Sequence, residues 1–579
     1  MEGDALNKRD IACLRRTKIL DLAEKQASEN KKTQLSGKKD SKKYSWVGQK
    51  IKKSKVLLFK RIMSSSEKED NQWMSVGTQY LGSALKKEGA KLVFSDSKIS
   101  FKEKEFITDL KKTEKILKEN PDINFIAITL AETYFDKARE LIKFLRKKTK
   151  AFIGVGGIMP TLSPRQVFVH LPEADFLVRG AGEEIFPKIL KILDGSNRDS
   201  VLTDNQLKGL SSLKGFIFSS KENLILASVD EINKIDNYDK SALDFFLLEK
   251  EDVLEGLNLF TSWGCHNNCF FCTSWVKGCY AGKSFSGLKK IVYAYYARLK
   301  ELFKNEQIPI SAFKLSFNDD DFLGDPKRAA DFFDFIKKSP FYINFFQTGI
   351  NSFFVRKKGK LTDKLNKELL GKLTPDLFYP RYLKKAEDRH KNHVCIYIGT
   401  ENYSDAELKR LGKGYDFGKI QLVVKELSER QIYQAHHFIA SNSLTGLEDI
   451  VDNLFKISGL RKANGDYFGV LTPIISHLVS FCSSVSYRAA ILKGRSNFLN
   501  IKEKLLVKGY PQYDYSLVEN DIPMNKAVRN FIPVLADLFL KEKNYREILD
   551  KSLAYFSKKE ALSKKEIISL IKIYKKNYE

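Results

Sequence analysis

A chain of 579 residues, 43% hydrophobic and 30% charged, has the length for two or three domains with sizeable cores and the composition of a soluble globular protein. Its seven cysteines are too few for a disulfide framework and fit a reducing cytoplasm. No uninterrupted apolar stretch is long enough to span a membrane, and the start Met-Glu-Gly-Asp-Ala-Leu-Asn-Lys lacks the basic-then-apolar pattern of a signal peptide, so a cytoplasmic location is expected.

The net charge of +27 would suit nucleic acid or an anionic membrane surface. The lysines, however, are spread along the whole chain among Ile, Asn and Phe, the pattern of a genome-wide bias rather than a binding patch. No clear nucleic-acid partner is indicated, and peripheral membrane contact stays open.

Residues 1–54 are lysine-rich and poor in apolar residues after Leu22, and they read as a basic N-terminal arm. The globular pattern begins with the apolar strand Lys55-Val-Leu-Leu-Phe59. A helix at 75–88 ended by Gly89, a strand at 90–95, a helix at 109–119 ended by Pro121 and a strand at 124–129 follow. Next come a helix at 136–148, a strand at 151–155 entering Gly156-Gly157, a strand at 175–178 and a helix at 183–194. Strict alternation predicts a doubly wound, mostly parallel, Rossmann-like sheet with ligands at the carboxyl ends of its strands.

Three segments of this region, 122–129, Gly154-Val-Gly-Gly-Ile-Met-Pro-Thr161 and Asp175-Phe-Leu-Val-Arg-Gly-Ala-Gly-Glu-Glu184, resemble the cobalamin-binding domain that precedes the radical SAM domain in one large enzyme class. The resemblance places Thr129 and Thr133 in a hydroxyl-bearing loop, and Gly156 and Gly157 where backbone approaches the nucleotide tail of cobalamin. It covers a cobalamin-binding-like domain at 55–195. The D-x-H-x-x-G motif that supplies a cobalt ligand in many cobalamin proteins is absent after the first strand, where the chain reads Arg61-Ile-Met-Ser-Ser-Ser66. Many members of the class also lack it.

Residues 196–255 read as a linker with a hairpin at 213–218 and 224–228, and 256–483 as the next domain. Its first strand, Leu257-Asn-Leu-Phe-Thr261, delivers the run Trp263-Gly-Cys-His-Asn-Asn-Cys-Phe-Phe-Cys-Thr273. Three thiols spaced C-x3-C-x2-C on one loop can hold three irons of a 4Fe-4S cluster, whose full protein ligation takes four cysteines, so one iron stays open to a substrate or cofactor. A zinc knot would want a second Cys/His pair, and although His266 lies close by, none follows. The spacing, with Gly264 and Phe271 beside the outer cysteines, resembles the signature of the radical SAM enzymes. That resemblance implies Cys265, Cys269 and Cys272 as cluster ligands and S-adenosylmethionine (SAM) on the open iron.

Further along, Ile310 to Phe317 runs into Asn318-Asp-Asp-Asp-Phe322, and Val394 to Glu401 ends in Gly399-Thr-Glu401. These resemble the F-x-D-D-x-F segment and G-x-E strand of the same class, and they make Phe271, Asp319, Asp320, Gly399 and Glu401 candidate SAM-binding residues. Strands at 434–440 and 468–472 complete a partial β/α (TIM-like) barrel, with chemistry at its strand ends. His436 and His437 point to opposite faces of their strand, so at most one faces the barrel interior. Cys279, Cys395 and Cys482 cannot build a second cluster. Residues 484–579 carry apolar residues at helical spacing and read as a mostly helical C-terminal domain.

The two resemblances together imply reductive cleavage of SAM to a 5′-deoxyadenosyl radical and, with cobalamin bound, methylation of an unactivated carbon. Radical cyclisation, coupling or oxidation without cobalamin, and a non-catalytic iron-sulfur or corrinoid binding or sensing protein, are the alternatives. Expected partners are a small-molecule, lipid or peptide substrate and an electron donor such as ferredoxin or flavodoxin.

Overall fold

The computed structural model describes residues 48–60, 75–97, 103–131, 135–219, 224–227, 238–240, 243–272, 278–357, 360–379, 395–441, 447–470 and 476–477, with Trp46, Ile232 and Ser274 besides. Thr133, the basic segment up to residue 45 and the expected C-terminal domain lie outside the described residues. The described residues fall into two compact units, one running to Val253 and including 290–307, the other comprising 254–289 and the residues from Ile308 onward.

The first unit alternates as its sequence predicts. Strands β1 (Lys55–Phe59), β2 (Lys91–Ser95), β3 (Phe125–Thr129), β4 (Phe152–Gly156) and β5 (Phe176–Val178) are linked by α1 (Val76–Lys87), α2 (Glu103–Glu119) and α3 (Phe135–Lys148), with α4 (Ile158–Leu162) and α5 (Pro164–His170) before β5. α6 (Gly182–Ile192) and α7 (Asp204–Ser211) follow β5. Ser75 caps α1 by accepting from the Thr78 amide, and Thr203 and Gln206 form a reciprocal capping box on α7.

The strand order is β2-β1-β3-β4-β5, all parallel. The stretch read as a linker contributes β6 (Phe216–Ser219) and β7 (Leu224–Ala227), which pair antiparallel onto β5 and extend this sheet. Its continuous apolar strands bury Val56, Leu58, Phe125, Phe152, Phe176 and Phe216 against Ile185, Phe186, Ile189 and Leu190 of α6, as a sheet covered on both faces requires. Reversal of direction between β1 and β3 opens a crevice at the carboxyl ends of the strands, the ligand position of doubly wound sheets.

In the second unit, β8 (Leu257–Leu259), β11 (Lys314–Phe317), β12 (Tyr342–Thr348), β15 (Ile396–Glu401), β16 (Gln434–Ser441) and β17 (Phe468–Val470) pair in parallel in that order. The helices α9 (Pro326–Ile336), α10 (Asp405–Leu411), α11 (Phe417–Glu429) and α12 (Leu447–Asn464) intervene, the pattern of a partial β/α barrel, while α8 (Phe285–Leu302) begins in this unit and from Lys290 onward belongs to the first. Between β8 and α8 a short antiparallel hairpin, β9 (Ser262–Cys265) and β10 (Cys279–Gly282), carries the three-cysteine run. β13 (Phe354–Lys357) and β14 (Lys360–Leu365) form a second hairpin, and β18 (Ser476–His477) adds to β16. β12 was not foreseen; its seven residues mix buried and half-exposed positions without clean alternation.

Candidate cluster loop and nucleotide crevice

The cysteine loop leaves β9 at Cys265 and returns at Cys279, directly opposite it in the hairpin register. Cys265 and Cys272 are half-buried, Cys269 is buried, and all three are free thiols. The sulfurs are met by N–H groups: Asn267 donates to Cys265 Sγ from its amide N (3.4 Å) and its Nδ2 (3.3 Å), and the Ser274 amide donates to Cys272 Sγ (3.3 Å). Donors of this kind stabilise metal-bound thiolates and tune the potential of an iron-sulfur cluster. Among the described residues no three His, Cys, Asp or Glu side chains converge as ligands of one metal ion. A cluster sets each thiolate on its own iron, so its ligands need not converge on one point. The donor set and its amide hydrogen bonds therefore fit a cluster. Burial and the neighbouring Asp321 carboxylate push the Cys265 thiol up, so it binds metal with release of a proton.

The acidic run after β11 stitches this loop to the barrel. Asp319 is fully buried and accepts from the Thr261 amide (2.6 Å), Thr261 Oγ1 (2.6 Å) and Ser262 Oγ (2.7 Å), with Arg328 Nη2 at 3.4 Å. Burial pushes its carboxyl up to about 6 against those hydrogen bonds. Asp320 accepts from the Gly264 amide (2.8 Å) and Ser274 Oγ (2.9 Å). Asp321 accepts from Ser352 Oγ (2.6 Å) and Thr348 Oγ1 (2.7 Å) and lies 3.8 Å from Cys265 Sγ. Three consecutive carboxylates thus grip the segment before the first cysteine, the loop itself and the neighbouring strand end. For Asp319 and Asp320, read from sequence as SAM candidates, the hydrogen bonds are to the protein.

Glu401, at the end of β15, sits in the left-handed region at φ 68°, where a register shift interrupts the pairing of β15 with β16. A non-glycine residue held there is strained, and such strain gathers at functional positions. Its carboxylate lies 3.7 Å from Lys413 Nζ, a cation only 5% exposed, which also donates to the Gly399 carbonyl (2.6 Å) and stands 5.7 Å from the centre of the Phe271 ring. Burial alone would lower the Lys413 pKa, but Tyr415, Glu401, Cys269 and Cys265 raise it overall, so it is a fixed positive charge beside the thiols. Asn351 links the two parts, donating from Nδ2 to Asn267 Oδ1 (2.7 Å) and to the Lys413 carbonyl (3.1 Å).

Cys265, Phe271, Gly399 and Glu401 are therefore brought together. Lys413, Asn351 and Asn267 were missed from the sequence; the signal available was Gly412-Lys-Gly414, a lone cation between two left-handed glycines. His436 is the buried one of the histidine pair, with Thr400 Oγ1 2.6 Å from Nδ1 and Gln434 Oε1 3.0 Å from Nε2.

In the first unit, Thr129, Gly156 and Gly157 line a crevice of ≈ 180 Å³ with Phe59, Thr78 and Val178, at the carboxyl ends of β1, β3, β4 and β5. A Cβ on Gly157 (φ +99°) would stand 2.7 Å from Thr129 Cγ2 and 2.8 Å from the Leu130 carbonyl, whereas one on Gly156 would meet nothing nearer than 4.0 Å. Gly157 is required by the turn, and Gly156 leaves open space. An open, glycine-lined crevice at the switch point fits the nucleotide tail of a corrinoid.

Residues 68–190 match the B12 binding domain family. Among curated relatives, a stretch of 210 residues is 29% identical to the anaerobic magnesium-protoporphyrin IX monomethyl ester cyclase of Cereibacter sphaeroides, covering 35% of this chain and 32% of that protein. A stretch of 204 residues is 28% identical to an uncharacterized methyltransferase of Pyrococcus horikoshii, covering 34% of this chain and 40% of that protein. The matched stretches thus span between a third and two fifths of those relatives. Among solved structures, the cobalamin-dependent SAM radical enzyme OxsB, with aqua-cobalamin and SAM bound, aligns over 88% of this chain and 71% of its own, at a TM-score of 0.59 and 17% identity. The radical SAM methyltransferase TsrM of Kitasatospora setae, with cobalamin and a 4Fe-4S cluster bound, aligns over 86% of this chain and 99% of its own, at a TM-score of 0.50 and 12% identity. The chain resembles the cobalamin-dependent radical SAM class in its fold, with a B12-binding domain before a partial barrel.

Proposed function

We propose that this fold houses a radical SAM enzyme that cleaves SAM reductively at a 4Fe-4S cluster and uses cobalamin to methylate an unactivated carbon. The observation that carries the reading is the C-x3-C-x2-C loop, seated at the carboxyl end of the first barrel strand and stitched there by Asp319, Asp320 and Asp321. Cys265, Cys269 and Cys272 would hold the cluster, and Gly156 and Gly157 would admit the cobalamin tail. When bound, the cluster supplies the electron for cleavage, and cobalamin supplies methyl transfer.

The protein's own contribution is binding, orientation and charge. Asn267 and Ser274 present N–H groups to the sulfurs, and Lys413 offsets the negative charge of bound thiolates. Glu401, held rigidly in its left-handed turn, presents an acceptor for the SAM amino group or ribose. The expected substrate is a small molecule, lipid or peptide, and the expected electron source is ferredoxin or flavodoxin.

The test is anaerobic reconstitution of the full chain, then incubation with dithionite and SAM while 5′-deoxyadenosine is measured and cobalamin uptake is followed by absorbance. Deoxyadenosine from the intact protein and none from Cys272→Ala, with corrin bands present, is the expected result. A fully loaded protein that leaves SAM intact, both alone and with candidate substrates, would refute the reading; cleavage without cobalamin uptake would refute its methylation part.

A further inference from the structure

The face of the barrel sheet turned away from the helices carries a set of side chains that neither the cluster loop nor the fold uses. Along β15, Ile396, Ile398 and Thr400 are fully buried, while Tyr397 between them is only partly so; along β12, Phe345 and Gln347 are half-exposed beside buried Phe346 and Thr348. His437, unlike its neighbour His436, is also half-exposed. These residues form a row across three adjacent strands. The Phe345 and Tyr397 ring centres are 5.1 Å apart and nearly perpendicular, those of Tyr397 and His437 are 6.0 Å apart, and Gln347 pairs in register with Tyr397.

The row ends in three uncharged polar tips. Burial raises the Tyr397 hydroxyl above its ordinary value and lowers the His437 imidazole below its own, so at neutral pH both are neutral. Each tip can donate and accept, as can the Gln347 amide. None of the three makes a side-chain hydrogen bond within the protein among the described residues. Semi-buried polar tips left without partners are costly unless water or a ligand satisfies them. The cation at this end of the sheet, Lys413, is already held by the Gly399 carbonyl and Glu401, so the row offers an anion little.

We infer that the substrate group bound here is an uncharged, flat nitrogen heteroaromatic ring, stacked on the Tyr397 ring and hydrogen-bonded along its edge by Gln347 and His437. Aromatic faces supply contact area and the mixed tips supply specificity. A ring bearing a carboxylate or phosphate at this position would lose hydration without gaining a free cation. This assignment rests on the proposed function, because it places the substrate in the barrel that cleaves SAM.

The test is ligand-observed NMR on the full, anaerobically reconstituted chain with S-adenosylhomocysteine at saturation. The probes are indole and 2-quinolone, and their carboxylated counterparts, indole-3-carboxylate and quinoline-2-carboxylate, are the comparators. The expected result is saturation transfer to the neutral rings, at least tenfold weaker binding of the carboxylates, and at least tenfold weaker binding of the neutral rings to Tyr397→Leu. Gln347→Leu, a change of similar size, should weaken 2-quinolone more than a ring lacking the amide edge; circular dichroism checks that both variants are folded. Equal binding of charged and neutral rings, or unchanged binding in both folded variants, would overturn the assignment. Binding is read without turnover, so a protein that holds the neutral rings but leaves SAM intact would sink only the proposed reaction.

Discussion

Two residues show how local energetics expose function. Glu401 occupies a backbone region that costs an L-residue about 1–2 kcal/mol, so Glu401→Gly removes strain while removing the carboxylate. Glu401→Gly should lose most SAM cleavage with little change in apparent Tm, because the strain released offsets the ion pair lost to buried Lys413, whereas Glu401→Gln, which keeps the strain and loses the pair, should lower the Tm more and lose cleavage to a lesser degree. Differential scanning fluorimetry beside the deoxyadenosine assay separates the two effects. If Glu401→Gly cleaved SAM normally, the strained carboxylate would have no part in the chemistry.

His436 gives a pH prediction. Burial, reinforced by His437, lowers it from 6.5 to about 3. In the folded state it is neutral where the unfolded state would bind a proton, so folding is favoured at higher pH. Its contribution is intact above about pH 6.5 and is lost progressively as pH falls toward 3, at about 1.4 kcal/mol for each pKa unit of difference. Asp319, raised by burial from 3.8 to about 6, works in the opposite direction over part of the same range. The informative quantity is therefore the change in pH slope between wild type and His436→Asn. Thermal melting from pH 7.5 to 4.5 should show a shallower fall of apparent Tm in the variant.

At the scale of elements, the cysteine hairpin is held more by its neighbours than by itself. Its two strands have four residues each, too few for independent stability, and the acidic run after β11 supplies the missing constraint. Asp320→Ala removes the acceptor of the Gly264 amide, while Asp320→Asn keeps one oxygen for it. Iron retained after reconstitution and desalting should drop by at least half in the alanine variant and recover largely in the asparagine variant, with the reduced cluster's EPR spectrum unchanged in shape. The crevice of the first unit makes a parallel contrast. Gly157→Ala should lower the apparent Tm, because its Cβ collides with Thr129 and the Leu130 carbonyl, whereas Gly156→Ala should fold normally and weaken cobalamin uptake.

At the scale of the molecule, each compact unit has its own core, so the two cofactor sites should load independently. Cys272→Ala should lose iron and still bind cobalamin, and Gly156→Ala should take up less cobalamin and still assemble the cluster; iron assay and visible absorbance on the same samples read both. Loss of both cofactors from either variant would show that one unit's order depends on the other's.

Much of this was legible in the chain itself. β1, β3, β4 and β5 fell within a residue or two of their expected bounds because a sheet covered on both faces demands continuous apolar runs, and the thiol spacing needed no fold to be read. β12 was not legible, since its buried and half-exposed residues follow no simple alternation. Nor was the role of the acidic run. Sequence supplied three carboxylates after a barrel strand, but only the tertiary structure turned Asp319 to Thr261 and Arg328, Asp320 to Gly264, and Asp321 to Ser352. Lys413, well over a hundred residues further along the chain and just after α10, came to stand beside the thiols in the same way. Motifs record which chemistry a short segment can perform, because its ligands are fixed by covalent spacing. Which distant charges and hydrogen bonds serve that segment depends on how the strands pair, and sequence separation does not reveal it.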